Sequence, residues 1–255
     1  MNRLVLRTVL LGALLVAIAL MGVDKIKEWL LLYHQNTEIT ITSSLTNTSQ
    51  PVVEEIQPLQ LSSFLSAKVP KATGIGAIEV PSADIRLPVF SGLKNEELLI
   101  GAGTIFPERE PAKNNLVILG HYVGSQHFLF GSLNQVKVGD SVFLNYLGNN
   151  YEYKIVEKKV IDERDIQVMQ ETKTPELTLL TCDSTNATSN RICVKASLVN
   201  TKELSIFPND KTMNKRYLTK PKAPSNQLIV SSIGLIFLLI LFSWFIWMMT
   251  GRKKD

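Results

Sequence analysis

Between residues 69 and 200 the chain breaks into short runs, "GIGAIEV", "DIRLPVF", "NNLVILGHY", "DSVFLNYL", "YEYKIVEKKVI", "ELTLLTC" and "RICVKASLV", separated by Gly, Pro, Asn and Asp. Each run is rich in Val, Ile, Leu, Tyr or Thr. Strand formers punctuated by turn formers predict an all-β region, and several such strands imply a sandwich or a barrel. "YLGNNYEY" places Gly148, Asn149 and Asn150 between two runs, which predicts a tight hairpin, since Gly and Asn tolerate positive φ. "FGSLNQV" and "NEELL" read as single helical turns. A region of about 130 residues can bury a core without disulfides, so residues 69–200 read as one domain.

The flanks have a different texture. Residues 4–23 form an apolar run with Arg7 as its only charge, and residues 228–250 form a second run with no charge, followed by Arg252, Lys253 and Lys254. Both are long enough to cross a bilayer. The first also fits a cleavable signal peptide, but no small-x-small site follows it, which favours an uncleaved signal anchor. Arg3 and Arg7 before the first run and the basic triplet after the second predict that both ends stay in the cytoplasm and that residues 24–227 lie outside. Ile26, Trp29, Leu30 and Tyr33 share one helical face, so the first helix is expected to continue to residue 36. Residues 37–68 are rich in Ser, Thr, Asn and Gln and read as a stalk. Residues 201–227 carry Lys202, Lys211, Lys215, Arg216, Lys220 and Lys222, which suits either a solvated linker or a surface drawn to anionic headgroups or wall polymers. Residues 251–255 form a short cytoplasmic tail. Asn47 and Asn186 sit in glycosylation-like triplets too short to carry a function.

Cysteine is scarce, with Cys182 and Cys193 alone in 255 residues, so an exported disulfide framework is not expected. Cys193 lies inside a strand run and reads as a small buried hydrophobe that stays reduced. Cys182 closes an apolar strand and meets a polar loop, a place where a thiol can face solvent. A thiol needs a neighbouring base or cation to become a nucleophile. His34 belongs to the juxtamembrane helix and His127 to a loop. His121 ends the strand "NLVILG" and opens a loop, as Cys182 does, and the two form a candidate dyad. Arg191 opens the strand after the cysteine loop, and antiparallel neighbours joined by a short loop bring their facing ends together. Its guanidinium stays protonated and can hold an oxyanion or a carbonyl; the alternative is a surface arginine paired with Asp183.

The run "TLLTCDSTNATSNRICV" resembles the sortase signature, in which a Thr-Leu-x-Thr-Cys strand ends at the nucleophile and an Arg opens the following strand. "LVILGHYVG" resembles the strand and loop carrying the sortase histidine, and "IGAGTIF" and "VKVGDSVFLNYLGNNYEYKI" also fit, so that the likeness extends over residues 75–199. It implies a closed eight-stranded β-barrel and a cysteine transpeptidase on the outer face of a Gram-positive membrane. Cys182 is then the nucleophile, His121 the general acid and base, Arg191 the oxyanion and substrate contact, and Thr181 a secondary substrate contact. The implied reaction cleaves an LPxTG-like sorting signal between Thr and Gly. A thioester forms, and an amine of a lipid II-like peptidoglycan precursor resolves it. The loop 162–176 is expected to select the sorting signal.

Asp183, the "GAGT" segment and the lack of an aromatic-bearing Asp-Pro lid resemble class A sortases, whereas the second apolar run resembles class C enzymes, which polymerise pilins. Some class A members bind calcium through acidic residues before the histidine strand; here Arg109 and Lys113 interrupt Glu108 and Glu110, and no metal is expected. Neither a cofactor nor a nucleic-acid partner is expected. Two other readings stand beside the transpeptidase: a wall-associated scaffold that keeps the barrel without turnover, and a plain cysteine protease that releases a free acid.

Overall fold

A computed structural model describes residues 39–45, 51–57, 72–124, 128–185 and 188–200, with Gly12 and Ser63 as isolated positions. All of these except Gly12 belong to the unit Leu30–Thr219. The expected spans 4–23 and 228–250, the linker 201–227, the tail 251–255, His34 and His127 lie outside the described residues. Among the described residues no helix is long and apolar enough to cross a membrane.

The strands, in chain order, are β1 (Ile39–Ile41), β2 (Val52–Val53), β3 (Ala72–Gly74), β4 (Gly76–Val80), β5 (Ile85–Leu93), β6 (Ala102–Thr104), β7 (Asn115–Gly120), β8 (Ser141–Tyr146), β9 (Asn149–Asp162), β10 (Glu176–Cys182) and β11 (Asn190–Asn200). Eight of them are hydrogen-bonded in the order β5-β4-β8-β9-β11-β10-β7-β6, and a further β5–β6 pairing returns the last strand to the first. The sheet is therefore closed, which satisfies the backbone along edges that an open sheet would leave exposed. The expected all-β, eight-stranded barrel is present.

Strand alternation divides the apolar side chains into two groups. Leu116, Ile118, Leu177, Leu179, Val194 and Ala196 point inward and join the main core. Val117, Leu180 and Cys193, at the intervening positions, form an outer cluster with Val168, which a 3-10 turn at Ile166–Met169 lays over β7, β10 and β11. Two buried tyrosines of the β8–β9 hairpin tie the loop before β7 to the barrel. Tyr146 donates its hydroxyl hydrogen to the Pro107 carbonyl at 2.8 Å and Tyr153 to the Pro111 carbonyl at 2.9 Å, so that loop satisfies both polar tips.

The hairpin differs in detail from its expected position. Tyr146 pairs with Asn149, leaving Leu147 and Gly148 as the turn, with φ of 49° and 84°. Two consecutive positive φ angles match the right-handed twist of the flanking strands, so the turn is tightest one residue early and Asn149 and Asn150 enter the ladder. The short helices fall as expected, at Asn95–Leu98 and Leu133–Gln135.

The described parts of segment 37–68 correct the stalk reading. β1 pairs in parallel with β3 and its Ile39 enters the main core, while β2 pairs in parallel with β5. Beyond β2, Asn95 gathers residues 54–57: its side chain donates to Glu54 Oε2 at 2.9 Å and to the Glu55 carbonyl at 3.1 Å, and accepts from the Gln57 N–H at 3.1 Å. Low apolar content did not prevent docking, because edge-strand backbone groups and one amide side chain hold the strap without a core of its own.

A buried polar group fixes the turn over the outer cluster. Asn115 is fully buried; its side-chain amide donates to the carbonyls of Val168 and Gln170 at 2.9 and 3.0 Å, and its Oδ1 accepts from Thr178 Oγ1 at 2.8 Å. Truncation to alanine strands these partners in a dry site. Asn115→Ala is expected to lower the unfolding free energy by about 2–4 kcal/mol in chemical denaturation. Lys113→Ala, which breaks only the exposed Glu110 pair, is expected to change it by less than about 0.5 kcal/mol.

Candidate active site

β10 lies between β7, its parallel partner, and β11, its antiparallel partner. In the parallel ladder Leu180 stands opposite Leu119, so two residues further on Cys182 and His121 reach the same level at the ends of their strands. In the antiparallel ladder Cys182 is the direct partner of Arg191. Alternation sends Cys182 and Arg191 to the outer face, alongside Leu180 and Cys193. The three residues singled out for chemistry thus meet at one rim, where all three line a cavity of about 440 Å³.

Each is held by its surroundings. The strand before His121 ends at Gly120, where a Cβ would stand 2.7 Å from the Phe130 ring; Phe130 also donates its N–H to the His121 carbonyl at 3.1 Å. His121 is only 6% exposed, and burial lowers its pKa to about 4, so the imidazole is neutral near pH 7. Cys182 is partly exposed. Burial pushes its thiol above the usual range, Arg191 pulls it down, and Asp183 and Glu163 push it up. The resting pair is therefore a thiol and a neutral imidazole. Cys193 is also free, and burial pushes its thiol up to about 11.

Arg191 does not pair with Asp183, which accepts from the Asn190 side chain at 3.0 Å. It meets Glu163 instead, at 2.6 Å from Nη2 to Oε2, while Nη1 donates to the carbonyls of Thr188 and Asn190 at 2.6 and 2.9 Å. Thr181 lines the cavity and is buried, with an Oγ1 that has no hydrogen-bond partner among the described residues.

Two further contributors line the wall: Glu163, within the loop 162–176 expected beside the site but not singled out there, and the end of the N-terminal strap. Glu163 follows the last residue of β9, and because β9 pairs antiparallel with β11, with Ile161 opposite Arg191, a carboxylate just past that strand falls beside the guanidinium. The signal was present in the order of the runs but needed the pairing of β9 with β11. Ile56 and Gln57 of the N-terminal strap also line the cavity. Their sequence carries no such signal, since the β2–β5 pairing and the Asn95 contacts bring them there.

Two acidic residues near the histidine strand lie beside cations of the chain. Glu110 pairs with Lys113 at 2.6 Å, and Glu171 lies 3.7 Å from Arg109 Nε. The Arg109 guanidinium itself donates to the carbonyls of Asn115 and Met169 at 2.9 and 2.8 Å and stacks 3.5 Å from the Phe106 ring centroid.

A closed eight-stranded barrel with Cys, His and Arg side chains converging at one rim defines a thiol acyl-transfer scaffold. The family model described as Sortase domain matches residues 78–199. The chain is 32% identical to Sortase A of Listeria monocytogenes over 208 residues, covering 78% of this chain and 94% of that protein. It is 34% identical to Sortase A of Streptococcus agalactiae over 172 residues, covering 64% of this chain and 69% of that protein. The crystal structure of Listeria monocytogenes sortase A superposes with a TM-score of 0.50 at 36% identity, covering 57% of this chain and 97% of that one. The chain belongs to the sortase family, and its homologues indicate a cysteine transpeptidase.

The buried imidazole makes stability depend on pH in a defined direction. The folded pKa of about 4 lies below the unfolded value of 6.5, so the contribution is complete above pH 6.5 and is lost as pH falls toward 4. Melting between pH 6.5 and 4.5 is expected to show a loss on the order of 2–3 kcal/mol that His121→Asn removes. An equal loss in both proteins would contradict the burial argument.

Proposed function

We propose that the chain is a membrane-anchored transpeptidase that cleaves an LPxTG-like sorting signal between Thr and Gly and joins the carboxyl end to an amine of a lipid II-like cell-wall precursor. The observation that carries the reading is the register that sets Cys182 opposite Arg191 and level with His121 around one cavity. In this reading the catalytic domain works on the extracellular face, with the runs 4–23 and 228–250 as its two membrane passes.

The chemistry follows from the resting protonation states. A thiol beside a neutral imidazole stores no charge, so His121 takes the Cys182 proton as sulfur attacks the Thr carbonyl. The carbonyl oxygen becomes an oxyanion, for which Arg191 is the fixed cation at the rim. As the tetrahedral intermediate collapses, the C–N bond breaks and the His121 imidazolium gives its proton to the leaving Gly amine. The Thr acyl group remains on Cys182 as a thioester. An incoming amine then attacks the thioester carbonyl, loses its proton to His121 and expels the thiolate, which recovers that proton. Thr181 forms part of the floor on which the substrate rests, its unpartnered hydroxyl supporting a contact there. The loop 162–176, part of which the Asn115 network holds over the outer cluster and whose Glu163 lines the cavity, is the segment that selects the sorting signal in this reading.

The apolar run 228–250 favours a second reading, a pilin-polymerising enzyme of class C type, in which the resolving amine belongs to a pilin side chain.

A fluorescence-quenched LPxTG peptide supplied with an amine nucleophile tests the reaction. Cys182→Ala is expected to abolish turnover, His121→Ala to lower it by at least about 10²-fold, and Arg191→Ala by about 10²–10³-fold. Mass spectrometry is expected to find the amine-joined product. A free acid alone, with the amine present, identifies a plain protease, and no turnover on any sorting-signal variant identifies a scaffold.

A further inference from the structure

The Arg191 guanidinium is held at three points. Nη1 gives both of its hydrogens to the Thr188 and Asn190 carbonyls, and Nη2 gives one to Glu163 Oε2 at 2.6 Å. Only Nε–H and the second Nη2–H remain without a partner among the described residues, so any oxyanion contact must come from that edge of the fork. Two of the holds are backbone carbonyls of the segment leading into β11. Glu163 is the only side chain in the set, and it reaches across from a different strand.

Glu163 is itself fixed. Its backbone N–H donates to the Ser189 carbonyl at 2.7 Å, tying the end of β9 to the segment that carries Arg191. The other carboxylates nearby have partners of their own, although Asp183 Oδ1 has none among the described residues. Asp162 accepts from Arg164 at 2.7 Å, and Asp183 accepts from Asn190 at 3.0 Å. Among the described residues lining the cavity, Arg191 is the only Lys or Arg and Glu163 the only carboxylate.

We propose that Glu163 is a positioning residue, whose hydrogen bond to Nη2 turns the free edge of the Arg191 guanidinium toward the acyl group carried by Cys182. This rests on the transpeptidase reading for the acyl group, but not for the pair itself. The hold is a matter of geometry, and glutamine, which keeps an acceptor oxygen at the same reach, preserves most of it. The charge acts separately. The groups facing Cys182 are His121 beyond β7, Asp183 beyond β10, Arg191 on β11 and Glu163 beyond β9. Burial raises the thiol pKa most, and Asp183 and then Glu163 oppose the pull of Arg191, so removing the Glu163 charge lowers the thiol pKa.

Position and charge are thereby separable in one experiment on the full-length chain. Iodoacetamide alkylation of Cys182 at pH 7, read by mass spectrometry, is expected to run about two- to fivefold faster in both Glu163→Gln and Glu163→Ala. Transpeptidation of the LPxTG peptide is expected to fall about tenfold in kcat for Glu163→Ala, with KM nearly unchanged, and less than about threefold for Glu163→Gln. Arg191→Ala is expected to slow alkylation. Unchanged alkylation in both Glu163 variants overturns the pairing. Turnover in Glu163→Ala that is unchanged or raised overturns the positioning role, and so does an equal loss in Gln and Ala. If the wild-type chain does not turn the peptide over, the transpeptidase reading fails by itself. The alkylation rates then still decide whether Glu163 and Arg191 act as a pair beside Cys182.

Discussion

The parallel pairing of β7 with β10 is the constraint on which the rest of the site depends. In a parallel pair both strands end at the same edge, so residues that finish them become neighbours, although His121 and Cys182 are 61 positions apart in the chain. Parallel strands cannot be joined by a tight turn. The intervening chain instead builds β8 and β9 and returns through the loop 163–175, which lies over the outer face beside the site. The antiparallel partner β11 begins where β10 ends and delivers Arg191 directly opposite Cys182. Closure of the barrel then fixes these levels, because a slip of one residue would turn the outer cluster and the Cys182 side chain inward together.

Polar groups hold the turn over the outer cluster in place. Asn115 stands at the first residue of β7, five residues before its strand ends, and its amide holds the Ile166–Met169 turn against the outer cluster. Arg109 adds a second hold on Met169 from the loop before β7. A single strand thus anchors that turn at one end and places the histidine at the other.

The sequence made the seven main runs legible because they alternate or cluster strand formers between strong turn signals; "ELTLLTC" coincides with β10 residue for residue. The short strands escaped notice. β6 is Ala102–Thr104, too small and too glycine-bordered to show a period, and β1 and β2 lie in polar segments where backbone pairing substitutes for apolar patterning. Cys182, His121 and Arg191 stood out because each marks a boundary between an apolar run and a polar loop. Glu163 and Gln57 did not, for different reasons. Glu163 sits among Asp162, Arg164 and Asp165 with nothing local to distinguish it, and Gln57 owes its place to an amide nearly forty residues away. Local pattern identifies strand ends, whereas the partners across those ends are set by strand order.

The electrostatics of the cavity fit the demands of acyl transfer to an amine. A preformed thiolate and imidazolium would be expensive to keep in a site where burial already lowers the His121 pKa to about 4 and raises that of Cys182. Charge therefore has to appear only as sulfur meets the carbonyl, and at that moment Arg191 is already fixed at the rim. The remaining walls mix Ile56, Leu98, Leu119 and Leu180 with Gln57, Tyr122, Ser184, Thr185, Thr188 and Ser189. Under the proposed reaction the thioester must outlast water long enough for an amine to arrive. Among the described residues lining the cavity His121 is the neutral base, so it serves whichever nucleophile reaches the thioester, and an amine gains over water by the contacts it brings with it.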